Sequence, residues 1–150
     1  MIVKSLDHLD RISKTISKKL ENGDCIFLIG EIGVGKTTFT RFLINNLQNQ
    51  KGLKETEVLS PTFNLLYEYE IKDLKIMHYD LYRIQKPNEL NHLGIFSELE
   101  KTVKIIEWPD LIKTPLTNKL EIHLEYSEND KERKMKINGV NKWKDFENEI

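Results

Sequence analysis

The stretch 26-IFLIGEIGVGKTTFTRFL-43 constrains this chain more than any other. Gly30, Gly35, Lys36 and Thr37 satisfy the phosphate-loop (Walker A) pattern G-x-x-x-x-G-K-[ST], between a continuous apolar run and a helical pattern. Glycine lets backbone N–H groups turn inward around phosphate oxygens, and a helix beginning at Lys36 aims its positive end at the same oxygens. Lys36 adds a mobile cation at the outer phosphates, and Thr37 offers a hydroxyl to Mg2+. Glu31, Ile32, Gly33, Val34, Gly35, Lys36, Thr37 and Thr38 are therefore the candidate nucleotide-binding set. Thr38, a second hydroxyl, reads more simply as helix surface.

A strand, a glycine-rich turn and a helix followed by more strands make an α/β fold. The apolar run Cys25 to Ile29 reads as a strand buried on both faces, and the helix runs from Lys36 to Gln50. Before them, Leu9, Ile12, Ile16 and Leu20 recur at helical spacing, with Ser5 or Asp7 as N-cap and Gly23 as the stop. After them, a short strand is expected near Val58–Leu59. Residues 63–83 read as two antiparallel strands around a Lys72-Asp73 turn. A short helix follows from Pro87 to Leu93, stopped by Gly94, then a buried strand from Val103 to Ile106 ending at Glu107. Leu120–Tyr126 and Arg133–Ile137 form a late hairpin, and a terminal helix from Lys142 to Glu149 packs through Trp143 and Phe146. The expected architecture is one domain over residues 1–150, a P-loop NTPase with three α/β/α layers. Its central sheet is mixed and mostly parallel, with added antiparallel strands.

Composition narrows the function classes. Twenty-three Lys and Arg against 24 Asp and Glu leave a net charge of −1, so there is no bulk argument for nucleic-acid binding. Cys25 is the single cysteine, which excludes an internal disulfide and leaves too few thiols for a zinc site. MIVKSLDHLD carries no secretory pattern and no run is long enough to span a bilayer, so the expected location is the cytoplasm, away from membranes.

A phosphate loop needs carboxylates to hold Mg2+ and to orient water, at the ends of neighbouring strands. Asp80 ends 74-LKIMHYD-80 and Glu107 ends 103-VKIIE-107. An acid closing an apolar strand is costly to bury without a partner, and a metal would be one; capping the next turn is the other reading of each. Thr62, in the rigid turn 60-SPTF-63, reads either as a switch threonine toward Mg2+ or the γ-phosphate or as part of a turn entering a strand. Arg83 reads either as an arginine finger or as an ion-pair partner. His78 shares a strand face with Asp80 and reads as a core or hydrogen-bonded histidine, and Trp108 as packing or a lid contact.

In order, GEIGVGKTT, SPTF, HYDLYR and IIEWPD resemble the TsaE (YjeE) family of small bacterial P-loop ATPases, over about Gly23 to Asp110. The resemblance implies a role in forming threonylcarbamoyladenosine next to the anticodon of tRNAs. It implies action on the TsaB–TsaD pair, with Mg2+-dependent ATP hydrolysis driving turnover of that complex and tRNA engaged only indirectly. Carried over by motif, Lys36 and the loop hold the phosphates and Thr37 and Glu107 hold Mg2+. Asp80 takes the Walker B place, also toward the metal, and Thr62 the switch place; Lys36, Asp80 and Glu107 are the catalytic set. Family members often have a threonine near the start of the first helix that approaches the nucleotide; here Leu9 falls near that place, with Asp10 beside it. The alternative is a small P-loop kinase transferring the γ-phosphate to a nucleotide or metabolite. The absence of an arginine cluster after Asp80 argues against it. For a guanine-reading switch, 118-NKLE-121 has the wrong acid.

Overall fold

A computed structural model describes residues 1–150. Its frame is one seven-stranded sheet. In chain order the elements are β1 (Ile2–Val3), α1 (Leu6–Lys19), β2 (Cys25–Ile29), α2 (Lys36–Gln50), β3 (Leu66–Ile71), β4 (Leu74–Asp80), α3 (Glu89–His92), β5 (Val103–Glu107), β6 (Lys119–Tyr126) and β7 (Arg133–Gly139). The spatial order is β1-β7-β6-β2-β5-β4-β3. The four inner strands β6, β2, β5 and β4 run parallel, while β3, β7 and β1 join antiparallel. The mixed sheet is thus a parallel centre flanked by the two hairpins legible in the sequence.

The strands follow from their composition. β2 is apolar throughout, and both it and β5 are buried along almost all of their length because both faces are covered. β6 alternates, burying Leu120, Ile122 and Leu124, because only one of its faces meets the helices. On that face Leu9, Ile12 and Ile16 of α1 and Phe39, Leu43 and Leu47 of α2 pack with Ile26, Leu28 and Ile105. The opposite face is covered unequally. Cys25, Phe27, Tyr79 and Ile106 lie under Leu81, Leu90, Ile95 and Leu116, carried by α3 and by irregular chain. The third layer therefore has no long helix.

Ser5, not Asp7, caps α1: its Oγ accepts from the His8 N–H at 3.1 Å. Two expectations fail. No strand forms near Val58–Leu59; Val58 is buried, but residues 53–61 pair with no strand, and Pro61 has no N–H to offer a ladder. The terminal helix is replaced by two 3-10 turns, Asn141–Trp143 and Phe146–Glu149. Asp145 stands between them with φ +60°, which breaks helical continuity. Trp143 and Phe146 nonetheless pack as expected, edge to face at 5.2 Å.

Candidate functional site

The parallel strands β2, β5 and β4 deliver the loop after β2, Glu107 and Asp80 to one end of the sheet. Gly30 leaves β2 where a Cβ would run into the carbonyl of Leu124, so β6 can lie against the loop only beside glycine. Gly33 turns the loop with φ +75°. The N–H groups of Gly33 and Gly35 make no hydrogen bond within the chain. With the first turn of α2, they form an unfilled set of donors at a helix N-terminus.

Lys36 is buried in this loop. Its Nζ donates to the carbonyls of Gly30 at 2.6 Å and Glu31 at 2.8 Å, and lies 4.4 Å from the centre of the Trp108 ring. Burial lowers its pKa from the ordinary 10.5, opposed by the negative charges of Glu107 and Asp80. Trp108 also packs at a tilt against Tyr82, ring centres 4.8 Å apart, and its φ of +58° turns the chain out of β5.

Glu107 and Asp80 stand side by side on neighbouring strands, in direct register. Glu107 is buried; its carboxylate accepts from Thr37 Oγ1 at 3.2 and 3.3 Å and lies 2.7 Å from His78 Nε2. His78 is hydrogen-bonded in the core, as its strand position suggested, with Nδ1 left unpartnered. Asp80 accepts from Thr62 Oγ1 at 3.0 Å through Oδ2 and from the Tyr82 N–H at 3.0 Å through Oδ1. It thus caps its own turn, one of its two sequence readings, and also holds the SPTF segment. Thr37, Glu107 and Asp80 offer oxygen alone, the donor set of a hard cation such as Mg2+. No group of three or more His, Cys, Asp or Glu side chains is placed to hold a metal ion by itself.

The loop lies between two cavities. One, of about 210 Å³, is lined by Ile32, Lys36, Thr37, Ser60, Thr62, Asp80, Tyr82, Glu107 and Trp108. The other, of about 280 Å³, lies beyond Gly33, Val34 and Gly35, against Val3, Ser5, Leu6, Leu9 and Thr38 and the hairpin residues Asp130, Lys131 and Arg133. Thr38 therefore lines a cavity and is more than helix surface. Of the loop set, Glu31 and Ile32 face solvent and Val34 is buried in the core, so these three can serve a ligand chiefly through backbone. Arg83 lines neither cavity; its guanidinium lies over the exposed Phe63 ring at 5.6 Å. Asp10 is tied to α2 by Asn46 at 2.8 Å.

Two contacts to the loop had no sequence signal. Tyr126 Oη donates to the Ile32 carbonyl at 2.8 Å, and Arg133 Nε to the Val34 carbonyl at 3.0 Å. Spacings of 94 and 99 residues leave no local pattern to read.

Residues 3–135 match the family model "Threonylcarbamoyl adenosine biosynthesis protein TsaE". The chain belongs to the TsaE family. It is 35% identical over 132 residues to the TsaE of Rickettsia felis, covering 87% of this chain and 75% of that one. It is 32% identical over 124 residues to the TsaE of Aquifex aeolicus, covering 83% and 86%. Among solved structures, Bacillus subtilis YdiB superposes with a TM-score of 0.72 at 26% identity, over 99% of this chain and 90% of that one. As a TsaE-family protein the chain takes part in tRNA threonylcarbamoyladenosine biosynthesis. No helix in it is long and apolar enough to cross a membrane.

Proposed function

We propose that this TsaE-family chain is a cytoplasmic Mg2+-dependent ATPase, slow alone, whose hydrolysis of the β–γ bond drives turnover of the TsaB–TsaD complex, with tRNA engaged indirectly. The observation that carries the reading is the convergence of Lys36, Thr37 and Glu107 on two unbonded loop amides, with Asp80 and Thr62 across a small cavity. The Gly33 and Gly35 N–H groups and the α2 N-terminus take phosphate oxygens. Lys36 Nζ, now satisfied by two carbonyls, turns to the outer phosphates. Thr37 and Glu107 hold the cation, with Asp80 beside them. When bound, the cation neutralises charge building on the phosphoryl oxygens. Asp80, fixed by Thr62 and by its own turn, orients water. Water adds to the γ-phosphorus, the bond to the β–γ bridging oxygen breaks, ADP leaves with those electrons, and the water proton passes to phosphate. The cavity against Leu9, Val3 and Thr38 is apolar on one wall and takes the base.

No arginine lines the cavity at Asp80 and Glu107, which weighs against a kinase. The test is phosphate release from ATP with Mg2+, by the chain alone and with the TsaB–TsaD pair. A low rate that rises sharply with the pair supports the reading; a rate indifferent to it removes the partner-driven role. Lys36→Ala with unchanged ATP affinity and turnover would sink the phosphate loop itself.

A further inference from the structure

The phosphate loop is held from outside as well as formed by its glycines. On the outer side, Tyr126 Oη donates to the Ile32 carbonyl at 2.8 Å and Arg133 Nε to the Val34 carbonyl at 3.0 Å. Both donors sit at the turn end of the β6–β7 hairpin, opposite each other in register. They brace each other: the Arg133 guanidinium lies over the Tyr126 ring at 4.8 Å. Arg133 Nη1 also donates to the carbonyls of Asp130 and Glu132, both at 2.7 Å, so the guanidinium is fixed to its own turn.

A trans peptide is planar, so its C=O and N–H point in opposite directions. Holding the Ile32 carbonyl outward aims the Gly33 N–H inward, and holding the Val34 carbonyl aims the Gly35 N–H inward. Neither of these two amides makes a hydrogen bond within the chain. Glycine alone does not fix them, because it populates both signs of φ with similar ease. Free glycines would have to be ordered when a ligand arrives, and that ordering subtracts from affinity.

We propose that Tyr126 and Arg133 are positioning residues that set the phosphate loop in its anion-binding geometry before the ligand arrives. The inference rests on the nucleotide reading of the loop and deepens it. The clasp acts on the phosphate end of the ligand; Tyr126 lines neither cavity, whereas Arg133 also borders the cavity assigned to the base. For Tyr126 the signature is therefore an equal loss of affinity for a nucleotide and for a bare chain of phosphates.

The test is calorimetric titration of ATP and, separately, inorganic tripolyphosphate into the full chain and its variants Tyr126→Phe, Arg133→Ala, Arg133→Lys and Lys36→Ala, each with a thermal melt. Tyr126→Phe removes only a hydroxyl from a residue that is 45% exposed, so it decides the matter if Arg133→Ala folds poorly. The expected result is a loss of about three- to tenfold for each clasp variant, equal for both ligands in Tyr126→Phe, as one lost hydrogen bond would give. The melting temperature of Tyr126→Phe should stay within about 2 °C of the parent. Arg133→Lys should lose as much as Arg133→Ala, since it keeps the charge and drops the Nε donor. Recovery by lysine would make Arg133 a direct attractor of phosphate and overturn the clasp. So would weakening of ATP with tripolyphosphate unaffected. Unchanged affinity in the clasp variants with loss in Lys36→Ala overturns the clasp alone; no loss in any variant overturns the nucleotide reading beneath it.

Discussion

At the N-terminal end of β2 the buried carboxylate of Asp24 is enclosed by protein donors: the Glu21 N–H at 2.9 Å, Lys142 Nζ at 2.7 Å and the Trp143 indole N–H at 3.3 Å. At the C-terminal ends of β5 and β4, Glu107 and Asp80 are as deeply buried, yet they stand next to each other. Their partners there are two threonine hydroxyls, a histidine and one backbone amide. The only ammonium nearby, on Lys36, is bonded to carbonyls instead. One end of the sheet satisfies its charge internally. The other gathers charge and donors that a phosphate and a cation would complete. Burial of a carboxylate therefore does not by itself separate a structural role from a chemical one; the identity of its partners does.

The largest effect should come from Cys25, beside the closed end. Burial pushes its thiol up to about 12, against the pull of Lys104 and Lys119. Native Cys25 should be alkylated by iodoacetamide at pH 8 about a thousandfold more slowly than the same thiol in urea. Fast labelling of the native chain would show that this end opens. Next, Asp24→Ala leaves three donors facing a void and should cost about 3 kcal/mol. In a chain of this length that lowers the melting temperature by about 6–12 °C. Glu107→Gln, at the other end, should stay within about 1 kcal/mol of the parent in stability while slowing hydrolysis about a hundredfold. Similar melting losses for both would erase the contrast between the ends. The smallest effect concerns Lys104, buried with Nζ 3.3 Å from the Gly94 carbonyl and 3.6 Å from Met77 Sδ. Burial lowers its pKa from 10.5, so the unfolded chain binds that proton more tightly than the folded one. Stability from this group is then lowest below the folded pKa and rises with pH toward 10.5. Lys104→Met should add about 1 kcal/mol at pH 7 and flatten that rise in urea melts taken from pH 7 to 10. A destabilised variant would mean that the ammonium's contacts outweigh its burial.

What the sequence disclosed divides along the same line. The open end is written locally: the glycine pattern, the acids that close apolar strands and the SPTF turn all lie within short windows. The strand Cys25–Ile29 and a helix from about Lys36 to about Gln50 were legible because pattern, loop and cap agree there. The closed end is written across 119 residues, since nothing near Asp24 announces Trp143. Val58 was apolar enough for a strand, but a strand also needs a neighbour with free backbone groups, and composition does not reveal one. The terminal helix was misjudged because Trp143 and Phe146 suit a helical face equally well, and the break comes from the backbone of Asp145. Arg133 carries no local signal because its Val34 carbonyl partner belongs to a loop far away in sequence.

The two ends also differ in what they would emit. The chain has two tryptophans, and they fall one to each end. Trp143 is sealed in the core with its N–H on Asp24, while Trp108 lies half-buried at the cavity mouth under the Lys36 ammonium. Excited at the indole band, the folded protein carries two independent lamps. A soluble quencher reaches Trp108 first, and movement of Lys36 away from that ring changes its brightness. Trp143 stays in the dry interior until the sheet comes apart, so one spectrum can follow ligand capture and unfolding as separate signals.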